Sequence, residues 1–251
     1  MTLVVAYAPD SRGGAVLDLA AMLARSANDD LVVCAVVPAL LPEAPEHVGS
    51  EYRRFLDGMA RAALERARER LPDDVAVAAL VHHARSAPAG LLEVAELREA
   101  AMIVVGASGQ PAIGSVTARL LHDSPVPVAL APHGFRSRPG ARVGRVTAAF
   151  GGSQGLVDAA AAIAATLGAP LRIASFAVPA ATTIETAAPA APVVVGRGAS
   201  WEEAIDDVEW REDDVLVVGS SSTAPPARVF LGSRASRIIR HSPVPVVVVP
   251  R

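Results

Sequence analysis

One stretch of sequence decides the fold: Asp214–Pro250, DVLVVGSSSTAPPARVFLGSRASRIIRHSPVPVVVVP. It opens with the apolar run Val215–Val218 and closes with Val244–Val249, and both runs are typical of buried strands. Between them, the step Gly232-Ser233 opens a short amphipathic helix. Free backbone N–H groups and the helix dipole at such a start favour an anion. The stretch therefore predicts a phosphate cradle in a parallel α/β sheet.

The same pattern occurs once before, in Ala101–Pro132, AMIVVGASGQPAIGSVTARLLHDSPVPVALAP. When the two copies are aligned on their shared SPVPV, Gly114-Ser115 falls on Gly232-Ser233. Upstream, 103–106 matches 216–219, although the loop that follows is five residues shorter in the first copy. A repeat of this size indicates an internal duplication, so the chain is expected to form two similar domains.

In both halves, apolar runs alternate with helical patterns and no hairpin turns lie between them. This alternation predicts parallel sheets with helices on both faces and a ligand crevice at the carboxyl ends of the strands. We expect an α/β fold of two Rossmann-like domains, 1–134 and 146–251, joined by a solvated linker, 135–145, that is rich in Gly, Arg and Pro.

The second half has no counterpart of the long helix predicted at Glu51–Leu71. Only Pro179–Pro192 joins its second and third strands, and a parallel crossover needs about a dozen residues. Either the second domain has lost a helix, or residues are missing from the sequence there and near 109–114. In the long helix, the buried face is predicted to consist of Tyr52, Phe55, Met59, Ala63 and Ala67.

Composition excludes several classes of protein. The 251 residues carry a formal net charge of −3, so no global basic field favours nucleic acid. The sequence contains no lysine, and hence no phosphate-binding lysine of the Walker type. The single cysteine, Cys34, lies in an apolar run and is interpreted as a core residue. We find no signal peptide and no apolar run of membrane-spanning length, so we expect a cytoplasmic protein.

Two groups of side chains that could bind metals are interpreted as structural. His82 and His83 follow the third predicted strand, where neighbouring side chains point to opposite faces, so we place them in a solvated loop without a shared metal. Near the third helix of the second half, five acidic residues are expected on an exposed helix face, with Ser200 as the N-cap and Glu203 completing a capping box. These acidic residues are Glu202, Glu203, Asp206, Asp207 and Glu209.

With these motifs the chain resembles a tandem universal stress protein, with one family domain in each half. Members that bind ATP carry Gly-x-x-Gly, nine residues, and then Gly-Ser or Gly-Thr between strand four and helix four. The second half keeps this spacing, with Ser222 in place of the second glycine; the first half keeps the glycines, with only four residues between. The residues that the resemblance assigns to the nucleotide are Gly219, Ser222, Gly232 and Ser233, and Gly106, Gly109, Gly114 and Ser115.

The resemblance also implies an adenine nucleotide alpha hydrolase-like fold and a particular assembly. In the family, the last strand of a domain pairs antiparallel with its counterpart in another domain. Here Val126–Leu130 and Val244–Val249 are the natural partners, which predicts an internal pseudo-dimer, and a further homodimer could form. ATP would bring Mg²⁺ with it, and Arg228 or Arg234 could offset phosphate charge.

One family feature is missing from both halves. ATP-binding members carry an Asp after strand one that holds the adenosine end, and here Ala8 and Gly151 stand at that position. Losing such a hydrogen-bonding anchor costs about 1–3 kcal/mol, roughly a ten- to hundredfold loss of affinity. Two functions therefore stay open: a regulatory stress module that binds ATP, or a degenerate member that acts through protein association. An Asp restored at position 151 would distinguish them.

Enzymatic function is not expected. The sequence offers no nucleophile–base pair and no general base at the glycine loops, so ATP hydrolysis should at most be slow. A Rossmann-type oxidoreductase is disfavoured because the glycine loop follows strand four and the first βα turn lacks Gly-x-Gly-x-x-Gly.

Overall fold

The computed structural model describes residues 2–8, 13–39, 46–106, 114–179, 191–220 and 232–250. In these ranges the strands are β1 (Thr2–Ala6), β2 (Asp30–Pro38), β3 (Val77–Ala84), β4 (Ala100–Gly106), β5 (Val128–Ala131), β6 (Arg145–Phe150), β7 (Leu171–Ala177), β8 (Val193–Arg197), β9 (Asp214–Gly219) and β10 (Val246–Val249). The helices are α1 (Gly14–Ala27), α2 (Glu46–Arg70), α3 (Ala87–Leu97), α4 (Ser115–Asp123), α5 (Gln154–Leu167), α6 (Trp201–Asp206) and α7 (Ser233–His241).

All ten strands form one sheet in the order β3-β2-β1-β4-β5-β10-β9-β6-β7-β8. The strands pair in parallel within β1–β5 and within β6–β10, so the order of one half mirrors that of the other. The halves meet where β5 and β10 pair antiparallel, with Leu130 opposite Val246 and Val128 opposite Val248. The predicted duplication and the predicted pairing of the two last strands are both confirmed.

The SPVPV repeat makes the same turn in each half. Ser124 Oγ donates to the carbonyl of Val126 at 2.6 Å and accepts from its N–H at 3.3 Å. Ser242 Oγ makes the same two bonds with Val244, at 2.8 and 3.4 Å. Because this turn uses the first residues of the apolar runs, β5 and β10 begin two residues later than predicted.

Helices cover both faces of the sheet, as the alternation of strands and helices predicts. One face packs against α1, α2 and α5 through side chains such as Leu19, Leu64 and Leu156. The other packs against α3, α4, α6 and α7 through side chains such as Leu91, Leu120 and Ile205. The strands carry mostly Val, Ala and Leu because they are buried on both sides.

Of the five residues predicted to form the buried face of α2, two are buried and three are exposed. Ala63 and Ala67 are fully buried, but Tyr52, Phe55 and Met59 are 51%, 60% and 42% exposed. The three exposed residues lie toward the N-terminal end of the helix and the two buried ones toward its C-terminal end, and the helix packs against β2 and β3. The residues buried in that C-terminal part are Ala60, Ala63, Leu64 and Ala67.

The histidine pair lies within β3 and not in a loop, which corrects that prediction. His82 Nε2 is 2.8 Å from a Glu93 carboxylate oxygen, and His83 Nε2 is 2.8 Å from a carboxylate oxygen of Asp57. Glu93 belongs to α3 and Asp57 to α2, which cover opposite faces of the sheet. The two imidazoles therefore point away from each other, as the extended backbone predicts.

Residues 136, 138–140 and 142 of the predicted linker, 135–145, are exposed, whereas its C-terminal part contacts the end of α1. Arg142 Nη1 donates to the carbonyl of Arg25, and the N–H of Val143 donates to Ser26 Oγ at 2.8 Å. Val143 itself is only 5% exposed. Arg25 in turn forms a two-pronged bond with Asp74, at 2.6 and 2.9 Å.

The expectation that the second domain has lost a helix, or that residues are missing from the sequence, concerns two segments, 179–192 and 109–114, that are only partly described. Residues 180–190, between β7 and β8, lie outside the described residues, as do 107–113. Within the ranges that are described, no helix has the length and apolar character needed to cross a membrane.

Cys34 is expected to be chemically inert in the folded protein. Its side chain is 1% exposed, and burial raises the pKa of the thiol to about 12, so only about one molecule in ten thousand carries the reactive thiolate at pH 8. Iodoacetamide should leave the native protein unmodified at pH 8 and label it fully in concentrated urea, as mass spectrometry would show. Alkylation of the native chain at the rate of a free thiol would contradict this.

Candidate functional site

The strand order fixes the positions of two crevices. In the first half the chain reverses direction across the sheet between β1 and β4, and in the second half between β6 and β9. Ligands of open α/β sheets bind outside the carboxyl ends of the strands at such a point. Tyr7 and Ala8 lie at the first crevice, and Phe150 and Gly151 lie at the second.

The Gly-Ser steps lie at the starts of α4 and α7, as predicted. Gly114 has φ −60° and ψ 155°, and Gly232 has φ −75° and ψ 166°, so both are extended N-cap residues. Glycine has no side chain with which to cap the helix, and neither first turn contains an acidic residue. Among the described residues, neither N-cap side chain binds the first N–H groups of these helices, which could therefore bind a ligand or water.

In the first half, the structure brings three of the predicted residues to one place. Gly106 ends β4, and its carbonyl accepts a bond from Thr117 Oγ1 at 3.4 Å, which ties the first turn of α4 to the strand. An added Cβ at Gly106 would come no closer than 3.9 Å to Val16. Gly114 and Ser115 complete the group, whereas Gly109 lies outside the described residues.

In the second half, Gly219, Gly232 and Ser233 end β9 and begin α7 in the corresponding way. A Cβ at Gly219 would meet Leu156 at 3.7 Å, an ordinary contact. Ser222 and Arg228 lie outside the described residues.

The position of Arg234 at the second crevice was not predicted from the sequence. Its guanidinium lies beside Gly151, at the end of β6, where Arg234 Nη2 donates to the carbonyl of Phe150 at 3.2 Å. A Cβ built on Gly151 would be 2.9 Å from Arg234 Cζ, too close for the present arrangement. Cζ also lies 5.7 Å from the centre of the Trp201 ring, within cation–π range.

Trp201 joins Arg234 to the core of the second half. Its ring centre is 6.4 Å from that of Phe176, with the planes tilted by 55°. Phe176 is 1% exposed, so the pair rests on a fixed base. The result is a layered group, Phe176–Trp201–Arg234, which we call the arginine stack.

The first half has small aliphatic residues at the corresponding positions. Val116 follows Gly114-Ser115 as Arg234 follows Gly232-Ser233. Ala87 follows the N-cap Ser86 as Trp201 follows the N-cap Ser200. Val36 on β2 matches Phe176 on β7, because Cys34 pairs with Ala6 as Ala174 pairs with Ala149. At these three positions, the two crevices therefore differ in charge and in side-chain volume.

The acidic residues around α6 take structural roles. Ser200 Oγ accepts from the N–H of Glu203 at 3.2 Å, which confirms Ser200 as the N-cap. Glu203 accepts from the N–H of Ala199 at 2.7 Å, one residue before the Ser200 N–H that a capping box uses. Asp207 accepts from the N–H of Arg197 at 2.9 Å. The helix ends at Asp206, earlier than predicted. Across the described ranges, no three His, Cys, Asp or Glu residues are grouped as a metal site would require.

The fold and the site together define a class of protein. It has two Rossmann-like domains that pair through their last strands, and in each domain a helix that begins after a glycine lies at the crevice. The family model described as "Universal stress protein family" matches residues 1–132 and 177–250. Universal stress protein Rv2319c of Mycobacterium tuberculosis (strain ATCC 25618 / H37Rv) is 34% identical over 296 aligned positions that cover 100% of both chains. The chain belongs to the universal stress protein family.

Other comparisons agree with this assignment. Universal stress protein Mb2346c of Mycobacterium bovis shows the same 34% identity, again over 100% of both chains. The crystal structure of a universal stress protein from Archaeoglobus fulgidus DSM 4304 matches with a TM-score of 0.69 at 18% identity, covering 100% of this chain and 98% of that one. The curated alignments are longer than the 251 residues here, so these relatives contain residues without a counterpart in this chain.

Proposed function

We propose that the chain is a regulatory stress module that binds ATP at a glycine-started helix in its crevice. The observation that supports this proposal most is the start of α4. There Gly114 takes an extended conformation at the carboxyl edge of the sheet and offers no side chain that could cap the first helical N–H groups. A phosphate group fits such a position because both the N–H groups and the helix dipole favour negative charge.

The residues on each side of the helix start are suited to this role. Ser115 can add a hydroxyl donor to the phosphates, while Gly106 leaves space for a close approach of the ligand to the end of β4. Mg²⁺ would arrive with the phosphates as their counter-ion. These residues bind and orient, and none of them is placed to activate a water molecule.

The regulatory part of the proposal is supported by the family to which the chain belongs. Universal stress proteins are generally regulatory and not enzymatic. Slow hydrolysis would suit a module whose nucleotide reports a state of the cell, because the bound form then persists. We therefore expect at most slow turnover of ATP.

Calorimetric titration with Mg²⁺ and ATP tests the proposal. Wild type is expected to bind with micromolar affinity, and Gly114→Asp should weaken binding by about a hundredfold or more, because a carboxylate would compete with the phosphates for the same N–H groups. Gly58→Asp is the matched control: it adds the same charge on the exposed side of α2, where no atom lies within 4 Å of the new Cβ.

Absence of heat at millimolar ATP, with a folded protein shown by circular dichroism, would contradict ATP binding. The chain would then be a member of the family that acts through protein association.

A further inference from the structure

The two crevices of the chain differ in what already fills them. We propose that Arg234 closes the second crevice to nucleosides, so that the chain binds one nucleotide, in its first half. This inference rests on the proposed function, since it assigns the ATP site to one of two similar halves. The second half is closed in this way although it keeps the family spacing of its glycines.

The geometry places Arg234 in the path of a ligand. A nucleotide whose phosphates lie at the start of α7 must extend across the switch point toward the end of β6. Gly151 lies at that end, and the Arg234 guanidinium covers it closely enough to collide with a single added carbon atom. A ribose or a base is far larger than one carbon, so this flexible side chain has to shift before a nucleoside can enter.

Several interactions hold the side chain in place. The guanidinium donates to the carbonyl of Phe150 and lies over the Trp201 ring, which in turn packs on the buried Phe176. A ligand that displaces Arg234 must replace a charge-assisted hydrogen bond and a cation–π contact. Losing both is expected to weaken nucleotide binding in the second half by roughly a hundredfold or more.

Among the described residues of the first half, no arginine stands where Arg234 stands in the second. Val116 occupies the position of Arg234, and its branched side chain is too short to reach the end of β1 as an arginine does. Ala87 replaces the indole on which the guanidinium rests. A nucleoside in the first crevice would therefore meet small aliphatic side chains at both positions.

Stoichiometry of Mg²⁺–ATP binding tests this inference. Wild type is expected to bind about one ATP per chain, and Arg234→Val, which copies the first half, should bind about two. Arg237→Val is the matched control: it removes the same charge from the exposed side of α7 and should leave one site. Arg234→Ala should behave as Arg234→Val does, which guards against an effect of the branched side chain.

Site assignment separates the two proposals. Gly114→Asp should weaken binding by about a hundredfold or more in an otherwise wild-type chain, whereas Gly232→Asp should leave it unchanged. In Arg234→Val, Gly232→Asp should remove only the second site. Two sites in wild type, wild-type binding lost through Gly232→Asp, or one site in Arg234→Val would overturn the closure by Arg234. Absence of ATP binding to wild type and to both Arg234 variants would instead overturn the proposed function.

Discussion

Replacing Asp214 with Ala is expected to lower the free energy of unfolding by about 3–5 kcal/mol. The carboxylate is fully buried at the start of β9 and binds two arginines. Arg145 donates to it through Nε at 3.0 Å and Nη2 at 2.5 Å, and Arg172 Nη2 lies 3.8 Å away. Without Asp214, two guanidinium groups would remain close together with no counter-charge between them.

Arg172 makes this loss severe because it cannot escape to solvent. It is 5% exposed, it donates to Thr147 Oγ1 at 3.1 Å and to the carbonyl of Glu209 at 3.0 Å, and its guanidinium lies 5.2 Å from the centre of the Trp210 ring. Burial and the nearby Arg145 already lower the pKa of Arg172. Removal of the carboxylate would add to that unfavourable environment.

Urea denaturation followed by circular dichroism measures the effect. Glu212→Ala is the matched control, because Glu212 is a neighbouring carboxylate that pairs with Arg138 at 2.8 Å while both side chains are more than 70% exposed. Such a surface pair contributes about 0–1 kcal/mol. Equal midpoints for Asp214→Ala and Glu212→Ala would show that the buried cluster does not stabilise the fold.

The comparison of sequence and structure shows which kinds of feature a pattern can predict. The duplicated stretch predicts the two parallel sheets and the antiparallel contact of β5 with β10. Its apolar runs have the length of buried strands, and SPVPV marks where the last strand of each half begins. The buried cluster could have been predicted from charged residues at the starts of apolar strands, which are Arg145, Arg172 and Asp214. Their charges complement each other only when the strands lie side by side.

Two features depended on tertiary contacts that no local pattern contains. The buried part of α2 could not be chosen from periodicity, since Phe55 is exposed although Ala63, on the same apolar stripe two turns further along, is buried. The direction of Arg234 depends on Phe150 and Trp201, which are 84 and 33 positions away in the chain. A glycine spacing that fits the family therefore did not reveal that the second crevice is filled.

Gly151→Asp alone is expected to give no ATP binding in the second half, although it restores the acidic residue of ATP-binding family members. The new side chain would begin 2.9 Å from Arg234 Cζ, so its carboxylate would pair with the guanidinium as the latter shifts. A carboxylate held in this way is turned toward the arginine and not toward a nucleoside, and the arginine would stay in the crevice. The single substitution recommended by the sequence would thus fail for a reason found only in the structure.

The double variant Gly151→Asp with Arg234→Val removes this competition. It should bind ATP in the second half about ten- to hundredfold more tightly than Arg234→Val alone, because the free carboxylate can now hold the ligand. Calorimetry on a Gly114→Asp background isolates that site, and Gly155→Asp, where an added Cβ meets only Ser153 Oγ at 3.9 Å, controls for charge. Tight binding by the Gly151→Asp single variant on this background would show that Arg234 yields readily, and the acidic anchor would then be the only element that the second crevice lacks.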